Sequence, residues 1–321
     1  MSLLSRVRVT RRGVQIALGA VWLLDGLLQF QHFMYTHTFV TSVLEPNAQG
    51  QPGVIGSPIG TFAHFYGHNL TLWNTLAAET QCLIGLGLIA GRRFARPALL
   101  LGFAWALIVW WFGEGFGMIL SGAPVSPLMG APGAVIMYAF IGLLVWPRQA
   151  EGGRSAADGG LLGDRGGVIL WSLLWLEAAV VWMLHVNRSS GAIHDQIAGM
   201  AQDSPHWLAS ALTSIAHRTQ GHGVAVATIL AIVSVLIALG ALAPTPVRVT
   251  ALGLGIVLSL AYWVIGQSLG GPFWATGATD VNAGPLFVLL ALTLMPGLTA
   301  ARRAVPLTAP TRATDRAVAA V

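Results

Sequence analysis

Apolar residues gather in eight runs, at about 14–35, 69–90, 97–113, 132–147, 167–186, 223–242, 249–266 and 283–297. Each is close to the ~20 residues that a helix needs to cross the hydrocarbon layer of a bilayer. The pattern predicts an all-α polytopic membrane protein with eight transmembrane helices. Two long polar segments, 36–68 and 187–222, and two glycine-rich ones, 114–131 and 267–282, separate runs on one side. The stretch 111–122 (WFGEGFGMILSG) and its echo at 264–277 hold too many glycines for plain span ends. They suggest re-entrant loops, which are tolerated at membrane depth only where protein or water satisfies the backbone. Ser57-Pro58 and Ser204-Pro205 predict the starts of short surface helices, with a capping serine and a proline in the first turn.

The runs repeat. Residues 48–64 (AQGQPGVIGSPIGTFAH) align without a gap on 201–217 (AQDSPHWLASALTSIAH). The same register joins Trp22 to Trp175, His32 to His185, Pro52 to Pro205, Trp110 to Trp263, Glu114 to Gln267 and Gly117 to Gly270. The chain is therefore an internal duplication with a spacing of about 153 residues. Four spans per copy is an even number, so both copies keep one orientation and form two tandem pseudo-symmetric four-helix units related by an axis along the membrane normal. The expected division is a first repeat at 1–147, a Gly-rich flexible cytoplasmic linker at 148–166, a second repeat at 167–299, and a disordered cytoplasmic tail at 300–321.

Composition agrees with a bilayer protein. Only 9% of the 321 residues are charged, against about 25% in a soluble domain. The net charge of +5 comes entirely from arginine. A nucleic-acid patch does not account for it, because most of these arginines flank the same ends of the apolar runs. Arg6, Arg8, Arg11 and Arg12 precede the first, Arg92, Arg93 and Arg96 follow the second, and Arg148, Arg154 and Arg165 fill the central linker. Only Arg188 and Arg218 fall in the alternate loops. This positive-inside bias predicts a plasma (inner) membrane location with both termini cytoplasmic. The N-terminal run resembles a signal peptide, but Asp25 interrupts it and no small-residue cleavage site closes it, so it is expected to be a retained span. One cysteine, Cys82, excludes an intrachain disulfide. Many of the tryptophans lie near predicted span ends and suit an interfacial belt.

The candidate chemistry is histidine and carboxylate. All nine histidines fall on the predicted outer side. Neutral imidazole suits copper, zinc or haem iron. His64 and His68, four residues apart, share a helical face, and His32 could close the site from the side. His185, His217 and His222 provide the corresponding set in the second copy. The alternative is that these imidazoles are interfacial anchors. Three carboxylates, Asp25, Glu79 and Glu177, interrupt apolar runs, which makes them functional candidates. Asp25 lies seven residues before His32 and Glu177 eight before His185, so each acid could tune a histidine ligand or relay protons inward. The competing use is as protonated hydrogen-bonding glue between helices. Glu114 and Gln267 hold matching places, which favours a shared contact to loop backbone over catalysis. Asp280 and Asn282 in ATDVNAG could bind a cation, but a turn is the favoured reading of them.

Glu79 followed by GLGLIAGRRFARPALLLG resembles the DoxX/DoxD-like superfamily of four-helix membrane proteins. There a glutamate opens an apolar run that ends in glycine and arginine before the next span. The second copy keeps the shape (LIALGALAPTPVRVTALGLG) without the glutamate. The resemblance covers about half of the first copy and implies a four-helix bundle and, through the DoxD branch, a quinone or redox partner subunit. Three functions stay open on the residues alone. They are an outward-facing metal or haem site in redox or metal handling, an ion- or proton-coupled transporter or channel built on the intramembrane carboxylates, and a non-catalytic subunit of a membrane complex. Whether the chain is an enzyme, or a homo-oligomer, is open too.

Overall fold

The structure is a computed structural model, and it describes residues 9–148, 153–202, 204–272, 274–275 and 277–297. Arg6 and Arg8 and the predicted tail at 300–321 lie outside the described residues. The described chain is all-helical, without strands. The first copy contributes α1 (Arg11–Leu28), the single turn α2 (His37–Phe39), α3 (Gly53–His68), α4 (Leu70–Ala90), α5 (Arg92–Phe112) and α6 (Val135–Leu144). The second contributes α7 (Gly163–Met183), α8 (Ala192–Gln202), α9 (His206–Thr219), α10 (Gly223–Leu242), α11 (Thr245–Ile265) and α12 (Ala283–Leu294). Four of these helices, α5, α7, α10 and α11, are long and apolar enough to cross a membrane. α1 and α4 have similar lengths but carry polar residues, Arg11, Arg12 and Asp25 in one and Asn74, Glu79 and Gln81 in the other.

The copies are built alike. α1 packs along α4 as α7 packs along α10, and α5 and α11 each pack against the short helix that follows them. The units meet chiefly through α6 and α12, and the apolar core runs continuously across the junction, joining Leu18 and Trp22 to Trp171, Trp175 and Leu290. Small residues let α1 and α4 approach closely. A Cβ on Gly85 would lie 2.6 Å from the Gly19 carbonyl oxygen, and one on Gly26 would lie 2.7 Å from Cys82 Sγ. Such close backbone approach is how helices associate where lipid removes the hydrophobic drive. At the matching crossing of α7 and α10, Ser172 Oγ instead donates to the Ala238 carbonyl at 2.8 Å.

Both apolar runs that lead to His32 and His185 end earlier than their hydrophobicity suggests. The run 14–35 is helical only to Leu28, and the run 167–186 only to Met183. In the first, Gln31 Nε2 donates to the Leu28 carbonyl, closing the helix with a side chain. In the second, Leu184 turns extended at ψ 142°. The expected carboxylate-below-histidine stacking, Asp25 under His32 and Glu177 under His185, is therefore absent. His32 and His185 each open a separate 3₁₀ turn.

The surface helices also begin elsewhere than the serines indicate. α3 starts at Gly53 and takes Pro58 into its interior, while α9 starts at His206. The N-cap residues are the registered prolines. The Pro52 carbonyl accepts from Ile55 and Gly56 N–H at 2.8 and 2.9 Å, and the Pro205 carbonyl accepts from Leu208 and Ala209, both at 2.9 Å. Ser204 turns its hydroxyl to the Met200 carbonyl and to Ser268 instead.

The helices α6 and α12, with 10 and 12 residues, rise only ~15–18 Å, about half of a bilayer core. Folded loops precede each, and the two loops repeat the same contacts. Trp110 Nε1 donates to the Pro132 carbonyl and Trp263 Nε1 to the Val281 carbonyl, each at 2.8 Å. Gly117 (φ 68°) and Gly270 (φ 74°) press against those same two carbonyls, where a Cβ would approach to 2.3 and 2.6 Å. Only glycine meets both demands. These loops shift the register of the duplication from about 153 to about 149 residues, so that α6 and α12 superpose with Pro147 on Pro296.

The linker is not flexible where it is described. Ala157 is fully buried, its N–H donates to the Thr293 carbonyl, and Leu161 N–H donates to the Leu143 carbonyl. α7 begins at Gly163, inside the stretch assigned to the linker from sequence. Asp164 there accepts two hydrogen bonds from Arg248, at 2.7 and 2.8 Å, and Arg248 also donates to the Leu294 carbonyl. The linker thus caps the C-terminal ends of the two half-length helices.

Candidate functional site

A cavity of about 140 Å³ lies inside the first four-helix unit. α1 delivers Asp25 and Gln29 to it, because residues four apart share a helical face. α6 delivers Tyr138, the end of α5 delivers Glu114, and the loop before α12 brings Asp280 across from the second copy. Asp25 is 2% exposed. Tyr138 donates a short hydrogen bond to Asp25 Oδ2, and the Tyr138 ring sits 4.3 Å from that of Trp22. Asp280 accepts from Thr279 Oγ1 at 2.9 Å and from Asn282 N–H at 2.5 Å. Its charge acts on Glu114.

A polar chain holds this arrangement. Asn74, fully buried on α4, donates to the Gln29 carbonyl at 2.7 Å and accepts from Tyr66. Gln29 Nε2 in turn donates to the Thr279 carbonyl at 3.0 Å, and Gln31 Nε2 to that of Ala278 at 2.9 Å. The end of α1 therefore grips the loop that carries Asp280. Phe39, Phe62 and Tyr66, from the segment between α1 and α4, cover the cavity, and Trp105 and Phe112 line its α5 side. Thr279 and Asp280 also border a wider hollow of about 530 Å³ lined by Met200, Ser268 and Trp274.

Glu114 Oε1 accepts the Ala134 and Val135 N–H groups, both at 3.0 Å, and so caps α6. Its Oε2 is buried and has no hydrogen-bond partner. Burial, followed by the charge of Asp280, pushes the Glu114 carboxyl up to about 8, against the pull of its two backbone N–H donors. Burial likewise raises Asp280. Between the ordinary value of 4.5 and about 8, the folded chain keeps a proton on Glu114 that an unfolded chain releases. Its contribution to stability is thus full below 4.5 and is lost as pH rises through about 8. Gln267 makes the matching cap, accepting from Gly284 N–H at 3.0 Å, so an amide fits this position. Glu114→Gln is expected to melt with wild type near pH 5 and above it near pH 9 in detergent. Parallel melting curves across that range would refute the assignment.

The second copy holds a reduced twin of the cavity, about 20 Å³ in volume, lined by Trp175, Ala178, Gln267 and Phe287, with Ala131 reaching across from the first copy. Each loop thus enters the other unit's interior. Position by position, the twin keeps the shape and loses every acid. Asp25 matches Ala178, Glu114 matches Gln267, Tyr138 matches Phe287, Asp280 matches Ala131, and Asn74 matches Ala227. Trp182 stands at the place of Gln29 and is fully buried. The ring pair is retained, with Trp175 and Phe287 6.0 Å apart. The fold therefore does not itself require a carboxylate at these positions.

Of the residues singled out from sequence, Asp25 and Glu114 meet in the cavity and Gln267 lies in its twin. Glu79 is exposed on α4. Glu177 is half-buried on α7, lines neither cavity, and has both carboxyl oxygens buried without a hydrogen-bond partner. The histidines do not converge. His32, His64, His68, His185, His217 and His222 are all exposed. His64 and His68 form an edge-to-face pair on α3 with centroids 4.6 Å apart, while His217 stands 6.1 Å from His194. Among the described residues no three His, Cys, Asp or Glu side chains are placed to hold one metal ion. Alanine at His32 or His185 is expected to change stability by no more than about 0.5 kcal/mol, measured as a melting shift in detergent.

Sequence reasoning missed Tyr138, Gln29 and Asn74, and favoured a turn over a ligand role for Asp280. The available signal was the mismatch between copies: a phenol, an amide or an acid in one register position and an apolar residue in the other. No family model, curated protein or solved structure matches this chain.

Proposed function

We propose that this chain is a membrane carrier whose first four-helix unit moves protons, with or without a second cargo, and whose second unit is its scaffold. The helices α1, α4, α5 and α6 and their counterparts would lie across the bilayer as eight elements, with the arginine-rich ends cytoplasmic. One observation carries the reading: three carboxylates surround a single internal cavity, and the duplicate cavity has no acid. Carboxylates that share one desolvated site cannot all ionise, so they hold protons that a change of pH or an arriving charge can release. The linkage of Asp25 through Tyr138, and of Asp280 through the Gln29–Thr279 contact, ties those protons to the ends of α1 and α6. The test is proton movement into pyranine-loaded liposomes driven by a potassium diffusion potential. Wild type is expected to acidify the lumen faster than empty liposomes. Equal rates in the two would overturn the proposal.

A further inference from the structure

The geometry points to a compact protonated amine as the cargo of this cavity, bound between its carboxylates and aromatic rings and exchanged for a proton. The inference rests on the carrier reading and narrows it to one substrate class.

Charge decides the class first. Asp25, Glu114 and Asp280 line the cavity, and no arginine, lysine or histidine is found among the residues lining it. An anionic ligand would meet three carboxylates and no cationic side chain there. A cation meets acids and the faces of aromatic rings, to which it is attracted by about 0.5–2 kcal/mol for each favourable contact. Trp22, Trp105, Tyr66, Tyr138, Phe62 and Phe112 line the cavity with such rings. The twin keeps a tryptophan, a tyrosine and a phenylalanine but has no acid, and its cavity is too small for more than a water-sized group.

Hydrogen bonding decides the head group. Glu114 Oε2 is buried without a partner, while the Asp25 carboxyl is engaged by Tyr138 and by the Val281 N–H. One unpartnered carboxylate oxygen in a cavity lined by two further carboxylates suits a group with several N–H donors, which an ammonium has and a quaternary ammonium lacks. A metal ion would need three close donors, an arrangement absent among the described residues.

Volume decides the size. The space of about 140 Å³ is near the ~150 Å³ cavity that accommodates benzene in an engineered protein. A single ring or a short alkyl chain with one ammonium fits, and larger amines do not.

The exchange balances in charge and atoms. A neutral carboxylic acid in the empty site gives its proton to water as the amine enters in its R–NH₃⁺ form, leaving a carboxylate–ammonium pair and one released proton. Glu114 holds its proton up to about pH 8, so acid competes with the amine below that value. The apparent affinity should weaken by up to about tenfold for each pH unit below 8, the slope for release of one proton.

The experiment is calorimetric titration of the purified full chain in detergent with benzylammonium, in two buffers of different ionisation enthalpy. Benzyl alcohol and benzoate serve as neutral and anionic probes of the same shape. The expected result is benzylammonium binding at least tenfold tighter than either probe, with about one proton released at pH 7. Glu114→Gln, whose cap Gln267 already demonstrates, is expected to fold and to lose the proton release. Asp25→Asn is expected to lose at least tenfold in affinity, and Glu177→Gln to bind as wild type. Equal binding of benzyl alcohol, or binding without proton release, would overturn the amine assignment while leaving voltage-driven proton movement intact. Absence of that proton movement would instead remove the carrier reading itself.

Discussion

Asp25→Asn is expected to reduce potential-driven proton movement to the rate of empty liposomes while leaving a folded protein. Asparagine has the same shape, and its amide oxygen can still accept from Tyr138. The structural loss is therefore that of one charge-assisted hydrogen bond becoming neutral, about 1 kcal/mol. What the amide cannot do is exchange a proton. Asp25 is the most enclosed of the three acids, on a helix whose end is tied by Gln29 to the loop that bears Asp280. Proton movement that survives this substitution, with melting unchanged, would mean that the cluster is hydrogen-bonded glue of the kind seen between membrane helices. The twin argues against glue, because α7, α10 and α12 pack with Ala178, Ala227 and Phe287 at those places.

Gly85→Leu is expected to be the most damaging single change to the fold. The new Cβ would meet the Gly19 carbonyl oxygen and the Leu23 nitrogen at 2.6 Å. Both are backbone atoms of α1, so no rotamer change relieves the contact and the whole helix must move. Overpacking in an ordinary core costs about 1–3 kcal/mol, and this contact belongs at or above the upper end. Moving α1 also carries Asp25 and Gln29 away from Tyr138 and Thr279, so proton movement should fall with stability. The control is Gly60→Leu on α3, where a Cβ meets nothing within 4 Å. Differential scanning fluorimetry and size exclusion in detergent compare the two. Equal melting of the two variants would show that α1 and α4 do not touch as described.

Together the two variants separate the roles of the first unit. One removes a proton site without moving a helix, and the other moves a helix without removing a proton site. A carrier needs both to fail in flux. A passive structural subunit would show only the second failure, and only in stability.

The duplication was legible in the chain because identical positions do identical work. Pro52 and Pro205 both cap surface helices, and Trp110 and Trp263 both donate to the loop ahead of the last helix of their unit. Local chemistry and hydrophobic period determine such features, and both survive copying. The same is true of the all-helical class, since apolar runs of about 20 residues leave the backbone few other ways to satisfy its polar groups in lipid. The shortness of α6 and α12 was less legible, because the loop residues before them are as apolar as the helices. Hydrophobicity likewise carried the first span past Leu28 to residue 35, while a side-chain bond from Gln31 ended it. That one difference separated Asp25 from His32 and removed the pairing on which a histidine-centred site depended.

The sequence alone determined the repeat, the helical class and the rarity of acids in apolar surroundings, because each follows from neighbours within a few residues. Only the tertiary structure decided which acids meet. Asp280 comes to Asp25 from the other copy, since each loop reaches into its partner's interior, and no local pattern encodes a contact between such distant parts of the chain. The histidines share a side of the molecule by sequence, yet helix ends and exposed faces keep them apart, whereas three acids with no common motif surround one cavity.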